Sequence, residues 1–133
     1  IDNASEGKDI CIFGDPNLSR DVIYVKDVAH AFYLAMKSVQ TYGLYNMTSG
    51  RGVTLQEQAE VIRYLRSPSE NQKSKITYKP EIVNNTPSYL FSMEKAKYDF
   101  GFVPEYADFR TMMTDYKKDL DRNKYQELFN YVK

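Results

Sequence analysis

Tyr33 and Lys37 stand four residues apart within a stretch of helical periodicity. This Tyr-x-x-x-Lys spacing places both side chains on one helix face. A lysine in that position could lower the pKa of the tyrosine and prepare it for general acid–base chemistry. Tyrosine and lysine are both common in the chain, so the alternative is a boundary tyrosine beside a lysine whose stem covers apolar surface. We favour this structural alternative.

Arg20 offers a different chemistry, because it lies between a Gly-Asp-Pro turn at 14–16 and an apolar strand. A guanidinium suits bidentate binding of a phosphate. An ion pair with a nearby carboxylate, such as the adjacent Asp21, explains the same residue equally well. The chain has one histidine, His30, and one cysteine, Cys11, so it can build neither a Cys/His metal cluster nor an internal disulfide.

Length and composition exclude several classes of protein. The chain has 133 residues, which indicates one domain, and its 42% of apolar residues include no run near the ~20 that a membrane span needs. Eighteen basic residues balance eighteen acidic ones, so no overall field attracts nucleic acid. The chain begins at Ile1 without a secretory signal or an initiator methionine, which suggests a fragment or a processed product.

Strand and helix patterns alternate along the chain, which predicts an α/β or α+β fold. The capping box that begins at Thr54 starts one helix, Gly101 ends another, and the last helix carries an apolar face with Lys117, Lys118, Asp119 and Arg122 in solvent. Apolar runs predict four strands at 10–13, 22–25, 44–47 and 75–78, and helical spacing predicts helices at 27–39, 54–65, 92–100 and 109–120.

Three blocks of the sequence resemble the extended short-chain dehydrogenase/reductase family, the NAD-dependent nucleotide-sugar epimerases and dehydratases. The blocks read FGDPNLSRDVIYVKDVAHAFYLAM, LYNMTSGRGVTLQEQAEVI and MEKAKYDFGFVPEYADFRTMMTDYKK. Their order and spacing match the family, and together they cover most of residues 10–118. The resemblance implies an α/β (α+β) C-terminal substrate-binding lobe, with a helix and a strand that belong to a Rossmann sheet missing from this chain.

The family's glycine-rich NAD loop, catalytic serine or threonine and Tyr-x-x-x-Lys pair would lie upstream of Ile1. The resemblance places Tyr33 and Lys37 on a different helix, which is why we set that match aside. It therefore implies that residues 1–133 form one C-terminal substrate-binding fragment without the NAD-binding Rossmann domain. NAD(P) would be bound by the missing part, so we expect no cofactor in this fragment, no catalytic residue and no activity alone.

The resemblance assigns substrate contacts to five residues. Arg20 matches the arginine that contacts the substrate's diphosphate. Cys11, Ile12 and Phe13 match the strand that lies along the nucleotide base, mainly through backbone atoms. Tyr89 matches an aromatic residue that lines the nucleotide site in some members of the family.

The stretch at 82–85 departs from the family pattern, in which an arginine and an acid supply a second phosphate contact and a ribose contact. Ile82 stands in place of that arginine and Asn85 in place of that acid. Losing a charge-assisted contact should weaken diphosphate binding by roughly 1.5–3 kcal/mol. Either Lys79 or Arg51 substitutes, or the substrate is not a nucleotide sugar. Lys26 replaces a frequent aspartate, and we expect it at the surface.

Three functions follow as hypotheses. The first is a substrate-binding portion of a cytoplasmic NAD-dependent nucleotide-sugar epimerase, dehydratase or reductase, with a nucleotide-diphosphate sugar as partner and no nucleic acid or membrane. The second is the same family acting on a carbonyl or alcohol without a diphosphate, and the third is a non-catalytic binding module. Without the large sheet, the helix at 25–39 and the strand at 44–47 would expose apolar surface, so we expect the fragment to self-associate through them.

Overall fold

The computed structural model describes residues 1–83 and 86–124, except for the side chain of Glu70. Five α-helices, four short strands and a 3₁₀ turn at Glu70–Gln72 make up this part of the chain. The helices are α1 (Asp2–Ser5), α2 (Val25–Lys37), α3 (Leu55–Arg66), α4 (Glu94–Phe100) and α5 (Phe109–Asp121). The strands are β1 (Ile10–Phe13), β2 (Ser19–Asp21), β3 (Gly52–Thr54) and β4 (Ile76–Lys79).

The strands form two separate two-stranded sheets. Strands β1 and β4 are parallel, with Ile10 opposite Ile76 and Phe13 opposite Lys79. Strands β2 and β3 are antiparallel, with Arg20 opposite Val53. The predicted mixed α/β class is confirmed. No helix in the described ranges is both long and apolar enough to cross a bilayer.

Local sequence signals set several helix ends, of which the capping box at Thr54 and the glycine at 101 were predicted. The Thr54 hydroxyl accepts from the backbone N–H of Glu57, and the Glu57 carboxylate accepts from the backbone N–H of Thr54 at 2.8 Å, which completes the capping box of α3. Asp108 caps α5 by accepting from the N–H of Thr111. Gly101 ends α4 with φ +72°, a left-handed conformation that glycine adopts without strain.

Two small apolar clusters hold the helices together. Helices α2 and α4 pack through Ala31, Ala96, Phe100 and the fully buried Phe102. Helices α3 and α5 pack around Met112, Met113 and Tyr24, whose ring meets Tyr106 edge-on. In the first cluster, Ala31 and Ala96 let the two helices approach closely, and Phe100 and Phe102 contribute most of the buried apolar area.

Polar contacts of α2 supplement these clusters. Asp27 is 2% exposed, and its carboxylate accepts from the backbone N–H groups of Glu105 and Tyr106 at 2.8 and 3.0 Å. Lys26 pairs with Asp115 and with Asp119, at 2.8 Å from the latter. The expectation that Asp119 is solvated is therefore wrong, since its side chain is buried. Lys26 is partly exposed, as expected of a surface residue, and bridges α2 to α5.

Three predicted element boundaries are also wrong. Leu44–Met47 is irregular rather than a strand, because it pairs with no described strand and its Tyr45 and Met47 side chains pack on the α2–α4 cluster instead. Helix α2 starts at Val25, the start of the range 25–39 given to its apolar face, and ends at Lys37 rather than at residue 39. The second strand covers Ser19–Asp21 rather than 22–25, because α2 already begins at Val25.

The outer face of α2 exposes an apolar stripe. Val25, Phe32 and Met36 recur at i, i+7 and i+11 and are 63%, 62% and 80% exposed, while Ala31 on the opposite face is buried. The exposed apolar side chains continue beyond the helix at Val39. Exposed apolar side chains grouped on one helix face form a surface suited to covering by other protein.

We predict that the 133-residue chain on its own associates through this stripe. Phe32→Glu places a charge in its centre and should shift the chain towards monomer in sedimentation velocity. Tyr64→Glu is the matched control, because Tyr64 lies on α3 with the same 62% exposure. A monomeric wild-type chain at high concentration would contradict this prediction.

The ion pairs of Lys26 with Asp115 and Asp119 make the stability of the chain depend on pH in the acid range. Hydrogen bonding to Lys26 and to the Tyr24 hydroxyl, at 2.9 Å, lowers the pKa of Asp115 despite its partial burial. A carboxyl whose pKa is lowered by folding contributes stability above its unfolded pKa of about 3.9, and the contribution is lost as the pH falls further.

We therefore predict that Asp115→Asn lowers the free energy of unfolding by about 1 kcal/mol at pH 7, and that this difference shrinks below pH ~4. Denaturant titrations at several pH values measure it, with the exposed Glu81→Gln as control. A difference that stays constant down to pH ~3 would show that the charge of Asp115 is not its source.

Candidate functional site

Strand β1 presents one edge of its backbone away from the sheet. The N–H groups of Ile10 and Gly14 donate to β4, at Lys75 and Lys79. Since backbone direction alternates along a strand, Ile12 also faces β4, whereas the N–H and C=O groups of Cys11 and Phe13 face the opposite edge. A ligand lying along β1 would find donors and acceptors at Cys11 and Phe13.

The side chains of β1 and α3 enclose a cavity of about 340 Å³. Its lining is mostly apolar and includes all three of the predicted strand residues. Ile12 is buried, Cys11 is half-buried and Phe13 is 48% exposed. The three residues thus differ in environment: the side chain of Ile12 is buried, and the polar backbone groups at the open edge belong to Cys11 and Phe13.

Arg20 on β2 binds backbone carbonyls rather than a carboxylate. Its Nη1 donates to Ser19 O at 3.0 Å and to Pro87 O at 3.3 Å, and its Nη2 donates to Thr86 O at 3.2 Å. The alternative left open for Arg20, an ion pair with a carboxylate such as that of Asp21, is not formed among the described residues. A guanidinium has five N–H groups, so Nε–H and the second Nη2 hydrogen have no partner among the described residues. These two form the side-on fork that can bind two oxygens of a phosphate.

The segment Thr86–Phe91, which we term the strap, crosses β2. The Ser19 N–H donates to the Ser88 hydroxyl at 2.9 Å. The Tyr89 ring centroid lies 5.9 Å from Arg20 Cζ and 5.1 Å from the Phe91 ring. An open groove of about 300 Å³ lies beside these contacts, and its lining comprises Ser19, Gly52, Ser88, Tyr89 and Leu90. The structure thus brings two predicted site residues, Arg20 and Tyr89, together.

Asp21 joins the strap to a buried turn at Thr48 and Ser49. Its Oδ1 accepts from the Ser49 N–H at 3.0 Å and from the Ser49 hydroxyl at 2.8 Å. Its Oδ2 accepts from the Thr48 hydroxyl and from the Phe91 N–H. Burial alone would raise the pKa of Asp21, but these hydrogen bonds outweigh it and lower the pKa. Sequence reasoning missed this cluster, although an Arg-Asp pair preceding a Thr-Ser-Gly turn is its visible signal.

The two residues proposed to replace the missing arginine lie in different places. Arg51 pairs with Asp108 at 3.0 Å and lines another cavity, of about 180 Å³, beside α5. Lys79 ends β4, and its Nζ lies 5.9 Å from the centroid of the Phe13 ring. Lys79 is therefore the cation next to β1, whereas an acid already neutralises Arg51.

The remaining predicted positions lie apart from these contacts or beyond the described residues. Lys37 Nζ donates to the Tyr33 hydroxyl at 3.1 Å on the exposed outside of α2, and His30 is exposed on the same helix. Ile82 is 46% exposed. Asn85 falls outside the described residues.

The described residues do not fit a dinucleotide cofactor. Such a cofactor needs a strand followed at once by a glycine-rich turn and a helix N-terminus. Strand β1 leads instead through a turn to β2, and β4 ends at Lys79 and is followed by Pro80. No group of three or more metal-ligating side chains occurs in these ranges either.

Comparisons with known sequences identify similar proteins. Residues 1–48 match the model of the NAD dependent epimerase/dehydratase family. UDP-glucose 4-epimerase from Corynebacterium glutamicum is 29% identical over 106 residues, covering 76% of this chain and 30% of that protein. UDP-glucose 4-epimerase from Halalkalibacterium halodurans is 30% identical over 116 residues, covering 78% of this chain and 33% of that protein. The chain thus spans about a third of the length of these relatives.

Solved structures share the fold. An epimerase from Methanothermobacter thermautotrophicus superimposes with a TM-score of 0.79 at 21% identity, over 97% of this chain and 37% of its own. UDP-glucose 4-epimerase from Thermotoga maritima, solved with UDP-glucose, superimposes with a TM-score of 0.67 at 25% identity, over 89% of this chain and 38% of its own. The small parallel sheet and its flanking helices therefore match the corresponding third of larger epimerases.

Proposed function

Because the chain belongs to the NAD dependent epimerase/dehydratase family, we propose that it forms the substrate-binding part of an enzyme that acts on a nucleoside-diphosphate sugar. Two similar proteins are UDP-glucose 4-epimerases, and the Thermotoga maritima enzyme was solved with UDP-glucose. The proposed substrate class, a nucleoside-diphosphate sugar, is taken from these relatives.

The arrangement of Arg20 is the observation that carries this proposal. Its Nη groups bind the carbonyls of Thr86 and Pro87, which fixes the plane of the guanidinium. The side-on fork, Nε–H and one Nη2–H, then offers two donors at a defined angle. Two phosphate oxygens satisfy such a fork, and a fixed guanidinium loses less entropy on binding than a mobile one.

The rest of the nucleotide has a matching surface. In the proposal, the outward backbone groups of Cys11 and Phe13 bind the base, with Ile12 packing behind them. Tyr89 lies beside Arg20 and lines the neighbouring part of the site. Lys79, next to Phe13, supplies the positive charge that Ile82 does not.

The NAD-binding domain and the acid–base residues belong, in this proposal, to a part of the protein outside this chain. Residues 1–133 alone would bind no NAD and would be inactive. The Tyr33–Lys37 pair takes no part in the reaction. The single cysteine and the family together favour a cytoplasmic location.

One observation favours a second candidate substrate. Ile82 places an apolar side chain, 46% exposed, where the resemblance leads us to expect an arginine. A carbonyl or alcohol substrate without a diphosphate would not need that charge. The non-catalytic binding module remains the third hypothesis, and a glycine-rich NAD loop together with a Tyr-x-x-x-Lys pair upstream would overturn it.

We predict that Arg20→Ala weakens binding of UDP-glucose by about 10- to 100-fold, because a charge-assisted contact contributes about 1.5–3 kcal/mol. Calorimetric titration of the NAD-loaded polypeptide that carries this chain measures the effect. Titrations with dTDP- and GDP-sugars identify the preferred base.

Arg51→Ala is the matched control, because Arg51 faces Asp108 and should leave the affinity unchanged. Ser88→Ala loosens the strap without removing a charge, and it separates loss of the phosphate contact from loss of local order. If the folded, NAD-loaded protein binds no nucleotide sugar, the second substrate class replaces the first.

A further inference from the structure

The three residues of β2 each hold the strap at a different point. Ser19 binds Ser88 through its backbone N–H, and Arg20 binds the carbonyls of Thr86 and Pro87. Asp21 accepts from the N–H of Phe91 at 3.3 Å. The strap has no regular secondary structure, so these contacts determine its course across β2.

Asp21 differs from the other two anchors because it also reaches the protein interior. Thr48 and Ser49 are only 2% and 4% exposed, and both donate to its carboxylate. The strap is exposed throughout, whereas this turn is buried. The carboxylate of Asp21 therefore joins the exposed strap to the buried turn at Thr48 and Ser49.

The position of Tyr89 and the orientation of Arg20 both depend on that tie. Tyr89 lies between the anchor at Ser88 and the anchor at Phe91. The carbonyls that orient Arg20 belong to the amino-terminal end of the same strap. When Phe91 is released, the strap can shift along β2, and the Arg20 fork then loses its fixed plane.

We propose that Asp21 is a positioning residue, which orients the Arg20 guanidinium and the Tyr89 ring for the diphosphate of the substrate. The proposal rests on the proposed function, since it names how the same site is held. Asp21 contacts no substrate itself and acts through the strap.

The substitution Asp21→Asn interrupts the tie selectively. The amide oxygen in place of Oδ1 still accepts from the Ser49 N–H and hydroxyl. The amide nitrogen in place of Oδ2 can donate to the Thr48 hydroxyl, but it meets the Phe91 N–H donor to donor. The variant thus keeps the buried turn and loses the strap anchor.

The experiment is a double-mutant cycle on the NAD-loaded polypeptide, with UDP-glucose affinity measured by calorimetry. We expect Asp21→Asn to weaken binding about tenfold and to weaken it much less in the Arg20→Ala background, where only the Tyr89 ring is left for the strap to position. Asp108→Asn is the control: its carboxylate also accepts from a backbone N–H, at Thr111, but it does not touch the strap. That variant should keep its affinity.

Three results would overturn the proposal: wild-type affinity in Asp21→Asn, an equal loss of affinity with and without Arg20, or an equal loss in Asp108→Asn. These differ from failure of the proposed function, in which the wild-type protein itself binds none of the UDP-, dTDP- or GDP-sugars. Faster hydrogen exchange of the Phe91 amide in Asp21→Asn, relative to Asp108→Asn, reports release of the strap independently of any ligand.

Discussion

The carboxylate of Asp21 connects three segments that are far apart in the sequence. It lies at the end of β2, accepts from Thr48 and Ser49, and accepts from the backbone of Phe91, 70 residues away. An acceptor-only group with two oxygens suits this junction, because all its contacts are donors. The site around Arg20 exists in its present form because this junction fixes the strap beside β2.

Charged side chains join separate segments elsewhere in the chain as well. Asp27 holds the loop at 105–106 by two backbone N–H groups, and Lys26 joins α2 to Asp115 and Asp119 on α5. The two apolar clusters are small, so charged side chains at the start of α2 fix loops that apolar packing does not cover. Such bonds are expensive to break once formed, because they leave a buried group unsatisfied.

Local signals made much of the fold predictable, and long-range contacts made the rest unpredictable. The capping box at Thr54 and the glycine at 101 act within a few residues, so their outcome follows from the sequence. The strand predicted at 44–47 depended on a neighbouring edge, which no local pattern reveals. Asp119 has solvent-facing helical spacing, yet Lys26, 93 residues earlier, buries it. The resemblance predicts Arg20 as a site residue, but it does not predict the carbonyl groups on the strap that bind Arg20.

The central claim is that Arg20, held by the strap, receives the substrate's diphosphate. A crystal structure of the NAD-loaded polypeptide with UDP-glucose tests it most directly. The account predicts phosphate oxygens within hydrogen-bonding distance of Arg20 Nε and Nη2, with the uracil along the Cys11–Phe13 edge of β1. A diphosphate bound elsewhere, with Arg20 still bonded only to Ser19, Thr86 and Pro87, would contradict it.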